Sequence, residues 1–466
     1  MKAIKHHELL PDKDNPFLNC KLGREPYADV LTNLVTNYAD GFVLAINNPW
    51  GTGKTTFVKM WEQKLKNLEF KTLYFNAWEN DFEPDVLVTL ISELKDLQDT
   101  KSKKLFRELL KNAAPLGKKL ALSAAKSLVD KYIGEGLSKE ATSAISEVAV
   151  DGLESELNTY LDRKKSTISF KDSLAKFVEK STDDKPVIFI IDELDRCRPN
   201  YAVEVLEQIK HLFSVPKIVF VLSIDKEQLG HAVRGVYGSE KLNADEYLRR
   251  FIDVEYSIPE PNPSDSFDYL FAYFGFEKYF VIKKTGQKEY DQFKSFTNAF
   301  FKLKKTSMRN QEKIFAQVKL ALSIIGPNFS YPSVLVFLTY LKLSNLAFYG
   351  AIKNLELTLQ QLLNRVERIV QIDVEQDAPD SYIEMIAQLL VLYKNYYMRI
   401  DSSVNLFEYI TIDNTNKKNF TLKPKIKSKY YKLDKMVDHF IGLGEYDNIS
   451  LDYLFSKIDL KERFKS

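Results

Sequence analysis

The chain has 466 residues, 45% hydrophobic and 28% charged, enough for two or three domains with their own cores and too apolar for disorder to dominate. Lys and Arg number 66 against 64 Asp and Glu, so no global field favours nucleic acid or an anionic membrane, and any basic surface must be local. Two cysteines, Cys20 and Cys197, exclude a disulfide scaffold, and with no signal-like apolar segment behind Met1 they predict a reducing, cytoplasmic compartment.

From residue 41 to 267, short apolar runs alternate with amphipathic stretches, the pattern of strand-helix crossovers and a parallel sheet. Strands are predicted at 42–47, 72–76, 187–192, 218–223 and 254–258, and helices between them at 56–68, 85–97 and 202–213. The stretch 101–180, rich in Ala, Ser, Lys and Glu, reads as a helical insertion, its middle crowded with small residues that suit close helix packing. The Pro-rich run from Pro259 through Pro261 to Pro263 cannot continue a helix or a central strand, so it marks a domain boundary. The resulting division is a core of 1–100 and 181–262, an insertion of 101–180, and a C-terminal helical domain of 263–466.

Amphipathic periodicity continues at 303–325, 331–346, 355–374 and 381–397, and everything beyond the boundary is expected to be helical. No segment reads as a membrane span: the best candidate, 333–350, is broken by Lys342. The 31 Phe and 25 Tyr point to large packed cores with some partner surface. One stretch, opening on Lys417 and closing on Lys432, interleaves lysines with aromatics and is a candidate contact for nucleic acid, a solvated loop or hairpin being the plainer alternative.

Chemistry concentrates in two places. Asn48, Pro49, Trp50, Gly51, Thr52, Gly53, Lys54, Thr55 and Thr56 follow an apolar strand and open a helix, the context of a phosphate-binding loop. Glycines let successive N–H groups turn inward on phosphate oxygens, Lys54 reaches the outer phosphates, and the Thr55 hydroxyl ligates Mg2+. The pattern expects glycine at position 48; asparagine is the next-best residue for positive φ and keeps the turn feasible. Downstream, the apolar strand 187–192 ends on Asp192 and Glu193. Asp192 suits the magnesium hydration shell, and Glu193 suits a general base that polarises the attacking water.

With these motifs the chain resembles the KAP P-loop NTPases. The resemblance also rests on Trp50 through Thr56, on Phe75-Asn76-Ala77-Trp78-Glu79-Asn80-Asp81, on the block from Ile191 to Pro199, on Phe220 to Lys226, and on the leading segment with Leu22, Gly23, Arg24 and Tyr27. It implies an ATPase with a three-layer α/β core, a parallel sheet in 5-1-4-3-2 order and a helical C-terminal domain. It also implies that Ser223 or Asp225 senses the γ-phosphate, a hydroxyl that merely satisfies a strand end being the alternative. Arg249 and Arg250 resemble a finger that completes a neighbouring subunit's site, and Arg309 resembles a second sensor. Each arginine could instead form a surface salt bridge. Arg196 and Arg198 either approach the site or order the loop after Glu193.

Two functional readings follow. One is an ATP-driven switch or assembly component of a multi-protein system, anti-phage defence by resemblance, acting with an effector subunit from the same operon, with self-assembly as a further candidate partnership. The other is a sensor of nucleic acid or a phage component that turns ATP over slowly or not at all.

Overall fold

The computed structural model describes residues 10–460 apart from 39–40, 117–140, 183, 213–214, 260–262, 282–285, 326–330, 371–377, 401–409, 412–417, 420–421 and 443–449. The chain divides between residues 260 and 261 into two compact units.

In the first unit the elements run α1 (Glu25–Asn37), β1 (Val43–Asn47), α2 (Lys54–Asn67), β2 (Thr72–Asn76), α3 (Val86–Leu94), α4 (Lys103–Ala113), α5 (Ala141–Ser181), β3 (Val187–Asp192), α6 (Pro199–Leu212), β4 (Ile218–Ile224), α7 (Lys226–Tyr237), α8 (Ala244–Leu248) and β5 (Val254–Tyr256). All five strands are parallel, in the order β2-β3-β4-β1-β5. This is the three-layer parallel α/β core that the strand spacing and the family resemblance predict.

The central strands β3 and β4 are buried on both faces, which is why they read as continuous apolar runs. Alternate residues serve different layers. Val187, Phe189 and Ile191 enter one core with α3, α6 and α7, while Ile188 and Ile190 enter the other with α1 and α2. The described ends of 101–180 join the first of these: Phe106 and Leu109 of α4 and Phe170, Leu174 and Phe177 of α5 are buried there, with Phe106 and Phe177 rings 5.3 Å apart. The small-residue stretch 117–140 lies outside the described residues.

The second unit holds α9 (Pro263–Phe274), α10 (Glu277–Phe280), α11 (Gly286–Leu303), α12 (Met308–Ile324), α13 (Pro332–Ser344), α14 (Leu346–Lys353), α15 (Leu359–Val370), α16 (Asp380–Ile400), β6 (Ile410–Thr411), β7 (Lys418–Asn419), α17 (Leu433–Gly442) and α18 (Leu451–Ile458). Phe267, Phe271, Phe276, Phe293 and Phe315 pack ring on ring in its core, which accounts for much of the phenylalanine content. The expected helix at 303–325 begins only at Met308, because Lys305 takes positive φ and breaks the run. The unit is also not wholly helical: β6 and β7 pair antiparallel, Ile410 with Asn419 and Thr411 with Lys418. No helix among the described residues is long and apolar enough to cross a membrane. The candidate at 333–350 is instead α13, buried on nearly every face, followed by a separate helix that Asn345 caps by accepting the Phe348 N–H at 3.1 Å.

Candidate functional site

One rung of the sheet organises the site. Parallel register aligns Ile46 of β1 with Ser223 of β4, Ser223 with Asp192 of β3, and Asp192 with Asn76 of β2. All four share parity with the layer that packs against α2, so the polar members Ser223, Asp192 and Asn76 lie on the α2 face at the C-terminal edge of the strands. In an open parallel sheet that edge is where ligands bind.

The loop 48–53 leaves this edge from β1. Gly51 and Gly53 have φ of 83° and 82°, in the left-handed region that glycine enters without steric cost. A side chain at Gly53 would in addition meet the Arg24 guanidinium at 3.2 Å. The backbone N–H groups of Gly51, Thr52, Gly53, Lys54, Thr55 and Thr56 carry no hydrogen bond among the described residues. No acidic residue occupies the first turn of α2, and no side chain caps it. Six consecutive donors without a partner among the described residues, at a helix N-terminus, are an arrangement suited to an anion.

Turning the N–H groups to one side turns carbonyl oxygens to the other, and these are satisfied from behind. Buried Arg24 donates to the Thr52 carbonyl at 2.6 Å and to the Gly53 carbonyl at 3.2 Å. Burial pulls its pKa down, yet a guanidinium stays charged, so a fixed cation underlies the loop. The Lys54 ammonium donates to the carbonyls of Asn48 and Pro49, at 2.5 and 3.3 Å. Burial lowers its pKa, while Asp195, Asp225 and Asp192 work in the opposite direction. Trp50 ties the loop to the neighbouring strand ends: its N–H reaches Asp225 at 3.2 Å and its indole N–H reaches Asp195.

Asn48 departs from expectation. It is not among the residues at positive φ. Its side chain is buried and makes a two-way bond with the backbone of Ile258, the Nδ2 donating to the carbonyl at 2.7 Å and the Oδ1 accepting the N–H at 2.9 Å. Asparagine therefore stands at 48 for its amide, which glycine lacks, and not for a left-handed turn.

The acids occupy contrasting settings. Asp192 is buried, accepting the Tyr74 hydroxyl at 2.9 Å and the Glu193 N–H at 2.9 Å. Glu193 sits at φ 60°, ψ 25°, a conformation that costs a non-glycine residue about 1–3 kcal/mol and clusters at functional positions. Its carboxylate is held by Arg196 at 2.7 Å and by the Asn76 amide at 3.4 Å. Burial raises the Glu193 pKa, and Arg196 opposes the rise. Arg196 also lies over the Trp78 ring, and Arg198 pairs with Asp81 at 3.6 Å.

The structure thus gathers Lys54, Thr55, Asp192, Glu193 and Ser223 at one strand edge. The Ser223 hydroxyl is fully buried and has no hydrogen-bond partner among the described residues. A triphosphate with Mg2+ fits this donor set: free N–H groups and a cation for phosphate, a hydroxyl and a buried carboxylate for the metal shell. Within the first unit, Arg249 and Arg250 are not brought into contact with these groups among the described residues. Arg249 is exposed and bonds Glu246 at 3.2 Å, Arg250 is exposed, and Arg309 lies exposed in the first turn of α12 in the second unit. Of the two positions left open for Arg196, the structure gives the one beside Glu193, whereas Arg24 and Asn76 touch the loop and Glu193 although sequence reasoning assigned them no role there. Their place in the motif blocks was the available signal.

Asn48→Gly, which restores the expected glycine, removes both bonds to Ile258 and is expected to destabilise the first unit by about 1–3 kcal/mol, measured by urea unfolding. A variant as stable as the parent would show that the amide contributes nothing.

Comparison with known proteins agrees with this geometry. A sequence model described as the KAP family P-loop domain matches residues 24–326. The phage T7 exclusion protein of Escherichia coli K12 is 25% identical over 244 residues, which is 48% of this chain but only 31% of that longer protein. Solved structures that align with the chain include the Aeropyrum pernix ORC2 protein in ADPNP-ADP complexes, at 13% identity over 94% of this chain and 95% of that one, with a TM-score of 0.32. Drosophila ORC bound to DNA aligns at 13% identity over 96% and 87%, with a TM-score of 0.35. Scores this low carry no functional inference. The family model, matching well over half of the sequence on a loop and strand edge of the geometry just described, shows that the chain belongs to the KAP family of P-loop NTPases.

Proposed function

We propose that this chain binds ATP with Mg2+ and hydrolyses it, and that the turnover switches a multi-protein system, with anti-phage defence as the setting. The observation that carries the chemistry is the row of six unpartnered N–H groups at residues 51–56, facing an edge that also holds Asp192, Glu193 and the orphaned Ser223 hydroxyl. The name of the phage T7 exclusion protein supports the setting, and an effector subunit from the same operon is the partner expected of it.

In this reading the loop N–H groups and Lys54 hold the phosphates, with Asn48, Pro49, Trp50 and Thr56 shaping the loop ends. Thr55 and Asp192 serve the metal and its water shell, and bound Mg2+ supplies neutralisation of charge on the β and γ phosphates. Ser223 donates to a γ-phosphate oxygen. Glu193 takes the proton from water as its oxygen attacks the γ-phosphorus and the bond to the bridging oxygen breaks. Arg249 or Arg250 of a neighbouring copy, or Arg309, steadies the charge that develops. Residues 1–100 and 181–262 form the catalytic core, 101–180 the insertion, and 263–466 the part that responds.

Three measurements test this. Lys54→Ala abolishes nucleotide binding, whereas Glu193→Gln keeps ATP bound and loses hydrolysis by about 10²–10⁴-fold; phosphate release at the parental rate from Glu193→Gln would sink the base assignment. The base must be ionised, and burial raises its pKa, so kcat/KM falls as pH drops through a midpoint above the ordinary glutamate range. Arg196→Gln removes the opposing cation and moves that midpoint to higher pH; a shift the other way contradicts the role given to Glu193. Finally, Arg249→Ala and Glu193→Gln chains, each inactive alone, regain turnover when mixed if the arginine acts in trans; an inactive mixture assigns completion of the site to Arg250 or Arg309.

A further inference from the structure

The second unit carries a basic surface that the nucleotide chemistry does not use. Residues 422–432 run as a strap across α15 and the start of α16. Leu422 and Ile426 are buried in the helical core and anchor it. Every other tether engages its backbone or Ser428. Gln360 accepts the Lys423 N–H at 2.8 Å, and Glu367 accepts the N–H groups of Lys425 and Ile426 at 2.7 and 3.0 Å. The Ala378 N–H donates to the Lys427 carbonyl at 2.8 Å, and the Ser428 hydroxyl bonds Asp380. The two carboxylates that touch the strap are thus engaged by its N–H groups and its serine.

The lysine side chains are left outside. Lys423, Lys425, Lys427, Lys429 and Lys432 are all exposed, and none has a carboxylate partner among the described residues. Arg368, also exposed, falls in the same row of α15 as Gln360 and Asn364, four residues apart each time, and so flanks the strap. Tyr430 is 71% exposed and Tyr431 is 44% exposed. The Lys429 ammonium lies over the Tyr430 ring, 5.2 Å from its centroid, and leaves the other face of that ring open. The stretch 417–421, apart from the backbone of β7, lies outside the described residues and is not part of this surface.

We infer that the strap at 422–432 is a docking edge for single-stranded nucleic acid. A line of lysines without carboxylate partners, on a backbone fixed from beneath, meets a phosphate chain with little ordering cost, and two adjacent exposed tyrosines, one of them under the Lys429 ammonium, offer stacking faces for unpaired bases. An anionic membrane is disfavoured because the strap's two aliphatic side chains point inward and no apolar wedge remains to insert. An acidic protein would answer the lysines but give the paired rings no distinct task. This inference is independent of ATP hydrolysis, since none of its residues belongs to the loop or the acids of the first unit.

Fluorescence anisotropy of the full chain with labelled single-stranded DNA and RNA, across a salt series, tests it. The parent binds, and log K falls with log salt. Replacing Lys423, Lys425, Lys427 and Lys429 together with alanine lowers that slope by about 3, since each phosphate contact to a single strand contributes about 0.7. Tyr430→Ala weakens binding about tenfold with the slope unchanged, because stacking releases no counterions. Thermal melting confirms that these exposed changes leave the fold intact, and conservative Lys→Gln versions replace any variant that melts early. Parent protein that fails to bind either strand at low salt overturns the inference. So does a quadruple variant with parental affinity and slope, or binding confined to phosphatidylserine vesicles or to polyglutamate.

Discussion

A loop that aims its N–H groups at an anion must aim its carbonyls away from it, and those carbonyls need donors of their own. The first unit is built around that constraint. Arg24 supplies two of the bonds and Lys54 two more, while the Thr52 hydroxyl closes the Pro49 carbonyl at 2.9 Å. The donor side is free because the acceptor side is occupied. It follows that the segment before α1 belongs to the site although it precedes β1. It also follows that the loop's ends cannot move independently, since Asn48 is bonded to Ile258 and Trp50 to Asp195 and Asp225.

Periodicity and residue type made much of this legible. The apolar runs at 72–76 and 187–192 coincide with β2 and β3; β3, buried on both faces, leaves little ambiguity about where it ends, and β2 alternates buried with half-buried residues. Lys54, Thr55, Asp192 and Glu193 could be picked out since their chemistry depends on local order, a loop closing on a helix and a strand closing on acids. What stayed hidden depends on partners distant in sequence. Asn48 was read through its own φ preference, whereas its amide answers to a residue 210 positions away. Asn76 flanks Glu193 through sheet register, which composition does not show, and for Arg196 only the tight turn decides between its two readings. The stretch 417–432 could be read as a nucleic-acid contact or as a solvated loop or hairpin, and spacing cannot show that Glu367 and Gln360 grip its backbone.

Glu193 is held in tension. Its backbone is in a sparsely populated conformation, fixed by the Asp192 side chain on one side and by the Arg196 N–H on the other, and its carboxylate is shared between a guanidinium and an amide. An ion pair this close stabilises the charged form yet competes for the lone pairs that a base must offer. In the role of base proposed above, Glu193 would have to give up part of this pairing, and Arg196 already rests on the Trp78 ring.

The placement of the three tryptophans has an optical consequence. Trp61 is sealed in the core with its indole N–H on Thr32, far from any change in polarity. Trp50 lies against a carboxylate and Trp78 against a guanidinium, on opposite flanks of the same strand edge. Carboxylates and cations near an indole shift and quench its emission, so movement at this edge is reported by two chromophores while the third stays constant. The protein carries a ratiometric probe of its own loop, requiring no label.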